Sequence, residues 1–325
     1  MAKRSDRVVA VAGATGLQGG AVARRLLQDG WRVRALTRNP DRKKARAVAA
    51  LGAEIVRADM DDPRSLERAF DGVSGVFSVQ NHHISGYDGE LAQGRHVTDA
   101  ALRMGVRHVV YAAAGIGRPD TGVGSWDVKE RVAGYMRDRH LSVTILRPMA
   151  FMELMTASKF FPAASTWHVM PKVMGAARPV GWLAVDDLAV IVAKVFSDAD
   201  RFVGRDLVLA ADVSSISECR RLWRDVMGRP PLRVPMPVWL FERFVGTDET
   251  TMSRWLRAND IDLDTQPARE LCPQALGGRA WLRRQRAWRS HPPQAPRRHQ
   301  TLRDTTIRNR SRRCQRHPAE GGACW

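Results

Sequence analysis

Eight residues near the start of the chain, Gly13-Ala14-Thr15-Gly16-Leu17-Gln18-Gly19-Gly20, carry the clearest chemistry in the sequence. Glycine at every third place lets the backbone turn at Gly13, lets it approach a ligand closely at Gly16, and lets a helix pack on a strand at Gly19. A helix opening here presents unpaired N–H groups, and such a terminus holds a pyrophosphate. The turn therefore predicts a dinucleotide site built on Gly13, Ala14, Thr15, Gly16, Leu17, Gln18 and Gly19. Further on, where a carboxylate would accept from ribose hydroxyls, stands Arg38, with Arg42, Lys43 and Lys44 behind it. A guanidinium there favours NADP over NAD, because a charge-assisted hydrogen bond to the 2′-phosphate is worth roughly 1.5–3 kcal/mol. Asp59 falls where such folds place a polar residue against adenine; the competing role is a helix cap, which Asp61 and Asp62 suit better.

Proton chemistry is where the pattern breaks. A nicotinamide enzyme often sets a Tyr four residues before a Lys, whose charge lowers the phenol pKa. At that distance Tyr87 meets Leu91, Tyr111 meets Gly115 and Tyr135 meets Arg139, while Lys129 has Ser125 before it, so the pair is absent. Lys129 shares a helical face with Val132, Ala133 and Met136 and so needs a partner: the nicotinamide ribose or substrate, or else solvent reached by its long stem. It is the candidate catalytic residue. Without a general acid worth about 10²–10⁴ in rate, simple ketones are poor substrates. A quinone, a flavin-like acceptor or a cationic dye, which delocalises the incoming charge, suits better.

Other reactive groups predict less. His82 and His83 follow a strand and suit cofactor contacts, but neighbouring positions cannot both face one ion, so no metal is expected; Cys314 and His317 lack a second ligand pair. Phe151, Met152, Met155, Phe160, Phe161, Trp167, Met170 and Met174 either line an apolar pocket or fill a core.

These residues need a frame. Val8 to Ala12 is an apolar run ending in glycines, read as a buried parallel strand, and Ala21 to Asp29 reads as a helix stopped by Gly30. Strands at Trp31 to Arg38, Glu54 to Arg57, Gly75 to Gln80, His108 to Ala113 and Leu141 to Leu146 follow. Helices alternate with them at Asp41 to Leu51, around Pro63 to Phe70, Tyr87 to Met104 and Ser125 to Arg139. Six strands alternating with helices predict an α/β fold, a doubly wound parallel sheet of Rossmann type over residues 1–147. Residues 148–289, richer in Pro, Met and Trp, read as a smaller mixed α/β portion for substrate or partner, with a strand near Asp206 to Ala210 and a helix near Ser217 to Met227.

With those residues placed, the sequence resembles the NmrA-like family, atypical relatives of the short-chain dehydrogenases/reductases. The carriers are GATGLQGG (Gly13 to Gly20), LTRNP (Leu36 to Pro40), Asp59-Met60-Asp61-Asp62, VVYAAAG (Val109 to Gly115), Lys129 and ILRPMAFME (Ile145 to Glu153). The resemblance spans residues 5 to 289, with Cys272 to Trp281 similar to the family's closing helix. It implies NADP held by Gly13 to Gly19, Arg38, Asp59, Met60, Gln80, Asn81, His82, Lys129 and Phe151. It also implies one of two functions: NAD(P)H-dependent reduction of quinones or dyes, or non-catalytic redox sensing through a regulatory protein partner. Leu154 departs from the pattern, where Asn is frequent.

Charge sets the remaining bounds. The 325 residues hold 52 Lys plus Arg against 34 Asp plus Glu, a net charge of +18. Thirteen arginines and only two acids fall in residues 277–325, leaving +7 for the rest, so a basic surface is not implied throughout. The Arg-rich tail 290–325 has Leu302, Ile307 and Trp325 as its only large apolar residues and is expected to be disordered; any nucleic-acid contact through it would be non-specific. Four scattered cysteines make no CxxC pair, and no apolar run approaches 18 residues, so a cytoplasmic protein without a membrane span is expected.

Overall fold

The computed structural model describes residues 7–156 and 160–290; the tail expected to be disordered lies, beyond Ser290, outside the described residues. The chain runs β1 (Val8–Val11), α1 (Leu17–Gln28), β2 (Arg32–Thr37), α2 (Lys43–Ala49), β3 (Glu54–Arg57), α3 (Pro63–Phe70), β4 (Gly75–Ser78), α4 (His82–Arg103), β5 (His108–Ala112), α5 (Gly124–Asp138) and β6 (Val143–Pro148). The second half begins with β7 (Ala150–Phe151), a 3₁₀ turn at Met152–Met155, α6 (Phe160–Ala164) and π-helical turns at Ser165–Val169 and Pro171–Gly175. Then come β8 (Pro179–Leu183), α7 (Val185–Ser197), α8 (Ala199–Phe202), β9 (Asp206–Leu209), β10 (Asp212–Ser215), α9 (Ile216–Met227), α10 (Val238–Val245), α11 (Asp248–Ala258), α12 (Gln266–Leu271) and α13 (Gly278–Ser290).

Seven strands form one parallel sheet in the order β3-β2-β1-β4-β5-β6-β9. The strands are apolar on both faces because helices cover both. Val9 and Val11 pack with α1 and α7, whereas Val8 and Ala10 face the layer of α3, α4 and α5. The chain leaves β1 in one direction through β2 and β3 and then returns to the other side at β4. That reversal opens a crevice between the carboxyl ends of β1 and β4.

A second sheet, β10-β8-β7, packs with α9 and α13 around Met152, Met155, Trp167, Trp182, Trp223 and Trp281. Helix α9 starts on a capping box, Ser215 with Glu218, and stops at Gly228 in the left-handed region, φ 72°. Strand β9, read from sequence as part of the smaller portion, instead extends the main sheet beside β6, and α7 packs on α1. Arg147 ties this junction: fully buried, it meets Asp206 at 2.7 Å and Glu130 at 2.5 Å and donates to the Ala114 carbonyl at 3.0 Å.

Two helix starts differ from the sequence reading. Helix α1 begins at Leu17, four residues early, because Gly19 and Gly20 are helical and buried rather than part of the turn. Helix α4 begins at His82 and bends at Gly86, φ 73°, so only the stretch from Tyr87 shows regular periodicity.

Candidate functional site

The glycine turn lies at the crevice, between β1 and α1. Gly13 has φ 64°, and a Cβ there would stand 3.2 Å from Val79 just after β4, so the two loops touch. A Cβ on Gly19 would stand 2.4 Å from the Gly13 carbonyl oxygen and 2.6 Å from that of Ala12; no side chain fits. Gly16 is the N-cap of α1 and offers no side chain to the first turn, which also carries no acid. Helices α3, α4 and α9 are capped by Asp62, Asn81 and Ser215, whereas α2, α5, α7, α10, α11 and α12, like α1, have no side-chain cap from their N-cap residue; what sets α1 apart is the glycine turn before it. The uncapped α1 terminus leaves its amides for an anion. Ala14 is buried, Thr15 half-buried, Leu17 57% exposed, and the Gln18 side-chain oxygen is buried without a partner. These features fit a dinucleotide pyrophosphate.

Arg38 follows β2 and is exposed, with no ion pair to the described residues. Asp59 is half-buried and accepts from the Asp61 amide at 3.1 Å, while Asp62 caps α3 by accepting from the Arg64 amide at 3.1 Å. Asp59 is therefore not the cap. The Met60 carbonyl accepts from His96 Nδ1 at 2.8 Å, and Met60 Sδ lies 3.7 Å from the Gln80 amide nitrogen.

Beyond β4 the polar groups converge. Gln80 is buried; its amide donates to Ser78 Oγ at 2.8 Å, and its own side-chain oxygen has no partner. Asn81 caps α4 by accepting from the His83 amide. Lys129 turns inward rather than out to solvent, its side chain 11% exposed. Its Nζ donates to the Gln80 carbonyl at 3.2 Å and to Glu90 Oε1 at 2.5 Å. Glu90 is wholly buried, and its Oε2 faces His82 Nδ1 at 3.5 Å. Burial pushes the Glu90 carboxyl up, but the facing His82 ring and the Lys129 charge outweigh it and hold the group below the usual carboxylate range. Sequence reasoning missed Glu90, although it lies in register with Gly94, Val97 and Ala101 on the inward face of α4.

Two of the three tyrosines are engaged by carboxylates, and the third is sealed in the core with its hydroxyl unpartnered. The Tyr87 hydroxyl donates to Asp248 Oδ1 at 3.0 Å; burial and that carboxylate push it up to about 12. Tyr111 is fully buried, which drives its pKa well above the ordinary value, and Tyr135 is engaged with Asp99. Asp248, at the start of α11, also accepts from the Ser125 amide at 2.9 Å, so it staples α4 and α5 together. Beside it, burial lifts the Glu249 carboxyl to about 7 against an opposing hydrogen bond from Ser165 Oγ at 2.7 Å.

Most of the methionine and aromatic residues after β6 are packed into the core. Met152, Met155, Trp167, Met170 and Met174 are buried, and Phe151 is half-buried on β7, opposite Leu183 of β8. Volume filling at the junction of two sheets claims these side chains. Glu153 turns to the Val185 amide at the start of α7, and the Leu154 carbonyl accepts from Thr166. The closing helix starts at Gly278, inside the Cys272 to Trp281 stretch, and buries Trp281. A depression of about 460 Å³ lined by Val8, Trp31 and Arg32 lies at the amino ends of the strands, the opposite edge from the glycine turn.

A seven-stranded parallel sheet with a glycine-cradled helix terminus at its switch point defines a Rossmann-type protein. Residues 5–264 match the NmrA-like family, and the chain belongs to that family. The NmrA-like family domain-containing oxidoreductase hkm9 of Aspergillus hancockii is 28% identical over 257 residues, 72% of this chain and 77% of that protein. Triphenylmethane reductase of Citrobacter sp., complexed with NADP(H), shares the fold with a TM-score of 0.70 at 20% identity, over 85% of this chain and 99% of that one. NmrA, a negative transcriptional regulator, in complex with NADP gives 0.66 at 19% identity, over 85% of this chain and 94% of that one.

Proposed function

We propose that the protein binds NADP(H), in preference to NAD(H), at the β1/β4 crevice and delivers hydride to a conjugated acceptor, quinone-like or a cationic dye. The uncapped, glycine-cradled terminus of α1 carries this reading. Gly13 to Gly19 would hold the pyrophosphate, Arg38 the 2′-phosphate, Asp59 and Met60 the adenine side, and Gln80, Asn81, His82, Lys129 and Phe151 the nicotinamide side. When bound, the dinucleotide supplies the hydride. The protein's part is to orient it, and Lys129, paired with Glu90, would meet the ribose or the substrate. Residues 1–147 would then form the cofactor portion and 148–289 the acceptor side. No helix among the described residues is long and apolar enough to cross a membrane, and a cytoplasmic reductase is the proposal.

A second reading rests on the surface. Leu232, Trp239 and Phe244 are 65%, 67% and 73% exposed on α10 and in the segment before it, and apolar side chains exposed together mark interaction sites. It favours a redox sensor whose partner protein covers that stretch. Calorimetric titration with NADPH, NADP, NADH and NAD tests the common core of both readings. Arg38→Ala is expected to weaken the two phosphorylated forms about tenfold to a hundredfold and leave the others alone. Equal weakening of all four would remove Arg38 from the phosphate site, and no heat from any of them removes the proposal. Loss of NADPH absorbance with a quinone or dye separates reductase from sensor.

A further inference from the structure

The reductase reading leaves the source of the proton open, and the following rests on that reading. We propose that His82 is the proton donor of the reaction and that Glu90 is its positioning residue. His82 opens α4 just beyond the carboxyl end of β4, on the crevice side of the sheet. Its Nδ1 faces Glu90 Oε2 at 3.5 Å, and that oxygen has no hydrogen-bond partner of its own; a carboxylate only accepts, so when the two close up the hydrogen belongs on Nδ1. Nε2 is buried and has no partner. An unpaired buried ring nitrogen is costly, and a ligand that meets it removes the cost. The ring stacks on Tyr87, with centroids 5.1 Å apart at 19°, and lies against His83 at 4.0 Å.

Glu90 thus serves two groups at once. One oxygen accepts from Lys129 and the other, without a hydrogen-bond partner of its own, faces His82 Nδ1. The charged and titratable groups around the imidazole are Glu90, His83 and Tyr87 on its own helix, Lys129 on α5, and Asp248 of α11 behind the Tyr87 hydroxyl. A carboxylate facing Nδ1 with Nε2 unpartnered is the arrangement that lets imidazole pass a proton to a ligand that meets Nε2.

The step balances as follows. Hydride arriving at a quinone leaves negative charge on the carbonyl oxygen. The Nε2–H bond of the His82 imidazolium breaks, an O–H bond forms on that oxygen, and the bonding pair stays on the ring, now neutral with its hydrogen on Nδ1. Water reprotonates Nε2 before the next turnover. A cationic triphenylmethane dye needs no proton, because hydride alone converts it to the neutral product.

That difference supplies the test. With purified full chain and NADPH, rates are measured on a benzoquinone and on a cationic triphenylmethane dye for wild type, His82→Gln, Glu90→Gln and Glu249→Gln. In the first two variants the quinone-to-dye ratio is expected to fall at least tenfold, whatever loss the two rates share, since a general acid is worth about 10²–10⁴. Glu249→Gln keeps the wild-type ratio. Without any dinucleotide, ¹⁵N spectra of neutral His82 should show hydrogen on Nδ1. In Glu90→Gln the new amide must give its carbonyl to the donor-only ammonium and its NH₂ to Nδ1, which moves the hydrogen to Nε2. A ratio that moves less than tenfold, a ratio shift in Glu249→Gln instead, or hydrogen on Nε2 in wild type overturns the proposal. If wild type binds NADPH but reduces neither acceptor, the reductase reading fails and takes this proposal with it.

Discussion

Replacing Lys129 with Met removes a buried cation and leaves its anion behind. Glu90 has no exposed surface, and without Lys129 it keeps only His82, at 3.5 Å. Breaking a buried pair by deleting one partner costs about 3–5 kcal/mol. At roughly 2–4 °C per kcal/mol for a chain approaching this size, the melting temperature should drop by about 6–20 °C. The pH dependence also changes sign. In the wild type the Glu90 carboxyl lies below its ordinary range, so its stabilisation is present above the unfolded value and fades as pH falls. In Lys129→Met burial dominates, the folded carboxyl rises, and stability is lost as pH climbs through that raised value. Glu90→Leu with Lys129→Met replaces both charges by apolar groups of similar volume, and most of the loss should return. NADPH affinity should stay low in the double variant if the ammonium meets the dinucleotide. Thermal melts from about pH 5 to pH 8, paired with NADPH calorimetry, read both effects. A single variant that melts within about 2 °C of wild type, or a double variant no better than the single, refutes the reasoning that this is one buried, mutually dependent pair.

Three further outcomes follow from the same geometry. In Gly19→Ala the new Cβ, placed 2.4 Å from the Gly13 oxygen, must retreat by about 1 Å to reach ordinary carbon–oxygen contact; stability falls by about 1–3 kcal/mol and NADPH affinity by at least tenfold, and an unchanged titration would show that the turn does not form the cradle. His108 is held neutral at a pKa of about 4 by burial. The Thr144 hydroxyl gives its hydrogen to the Phe202 carbonyl at 2.7 Å, so His108 Nε2 must donate to it; the unfolded chain takes up a proton first, and about 3 kcal/mol drains away as pH falls from about 6.5 to about 4, a limb that urea unfolding of His108→Gln should flatten. Asp62→Ala strips the cap of α3 and should cost about 1 kcal/mol with NADPH binding intact; a large affinity loss would mean that Asp62, not Asp59, serves the adenine side.

The features legible in the sequence are those whose cause is local. Apolar runs such as Val8 to Val11 and Val109 to Ala112 declare strands covered on both faces, and their alternation with helices dictates a parallel sheet whichever way it is wound. The inward face of Lys129 follows from Val132, Ala133 and Met136 at helical spacing, and all three are buried. Position in the sheet is not local. Nothing between Asp206 and Leu209 distinguishes a strand of the second layer from one that extends the first; the deciding contact is Arg147, 59 residues earlier, whose guanidinium binds Asp206.

The same limit governs the site. The glycine turn is contiguous, so its chemistry could be read without a fold, whereas the partner of Lys129 lies 39 residues away on another helix. The spacing of Glu90 with Gly94, Val97 and Ala101 marks a carboxylate facing inward, but only the packing of α4 on α5 reveals that its charge is spent on Lys129 and its second oxygen on His82. Searching for the usual Tyr and Lys spacing asks where a proton donor should stand on α5. Here the lysine is on α5 and the proposed donor is on α4, and one carboxylate, Glu90, lies against both. On the proposed reductase reading, the absence of the tyrosine pattern would shift the proton donor from α5 to α4.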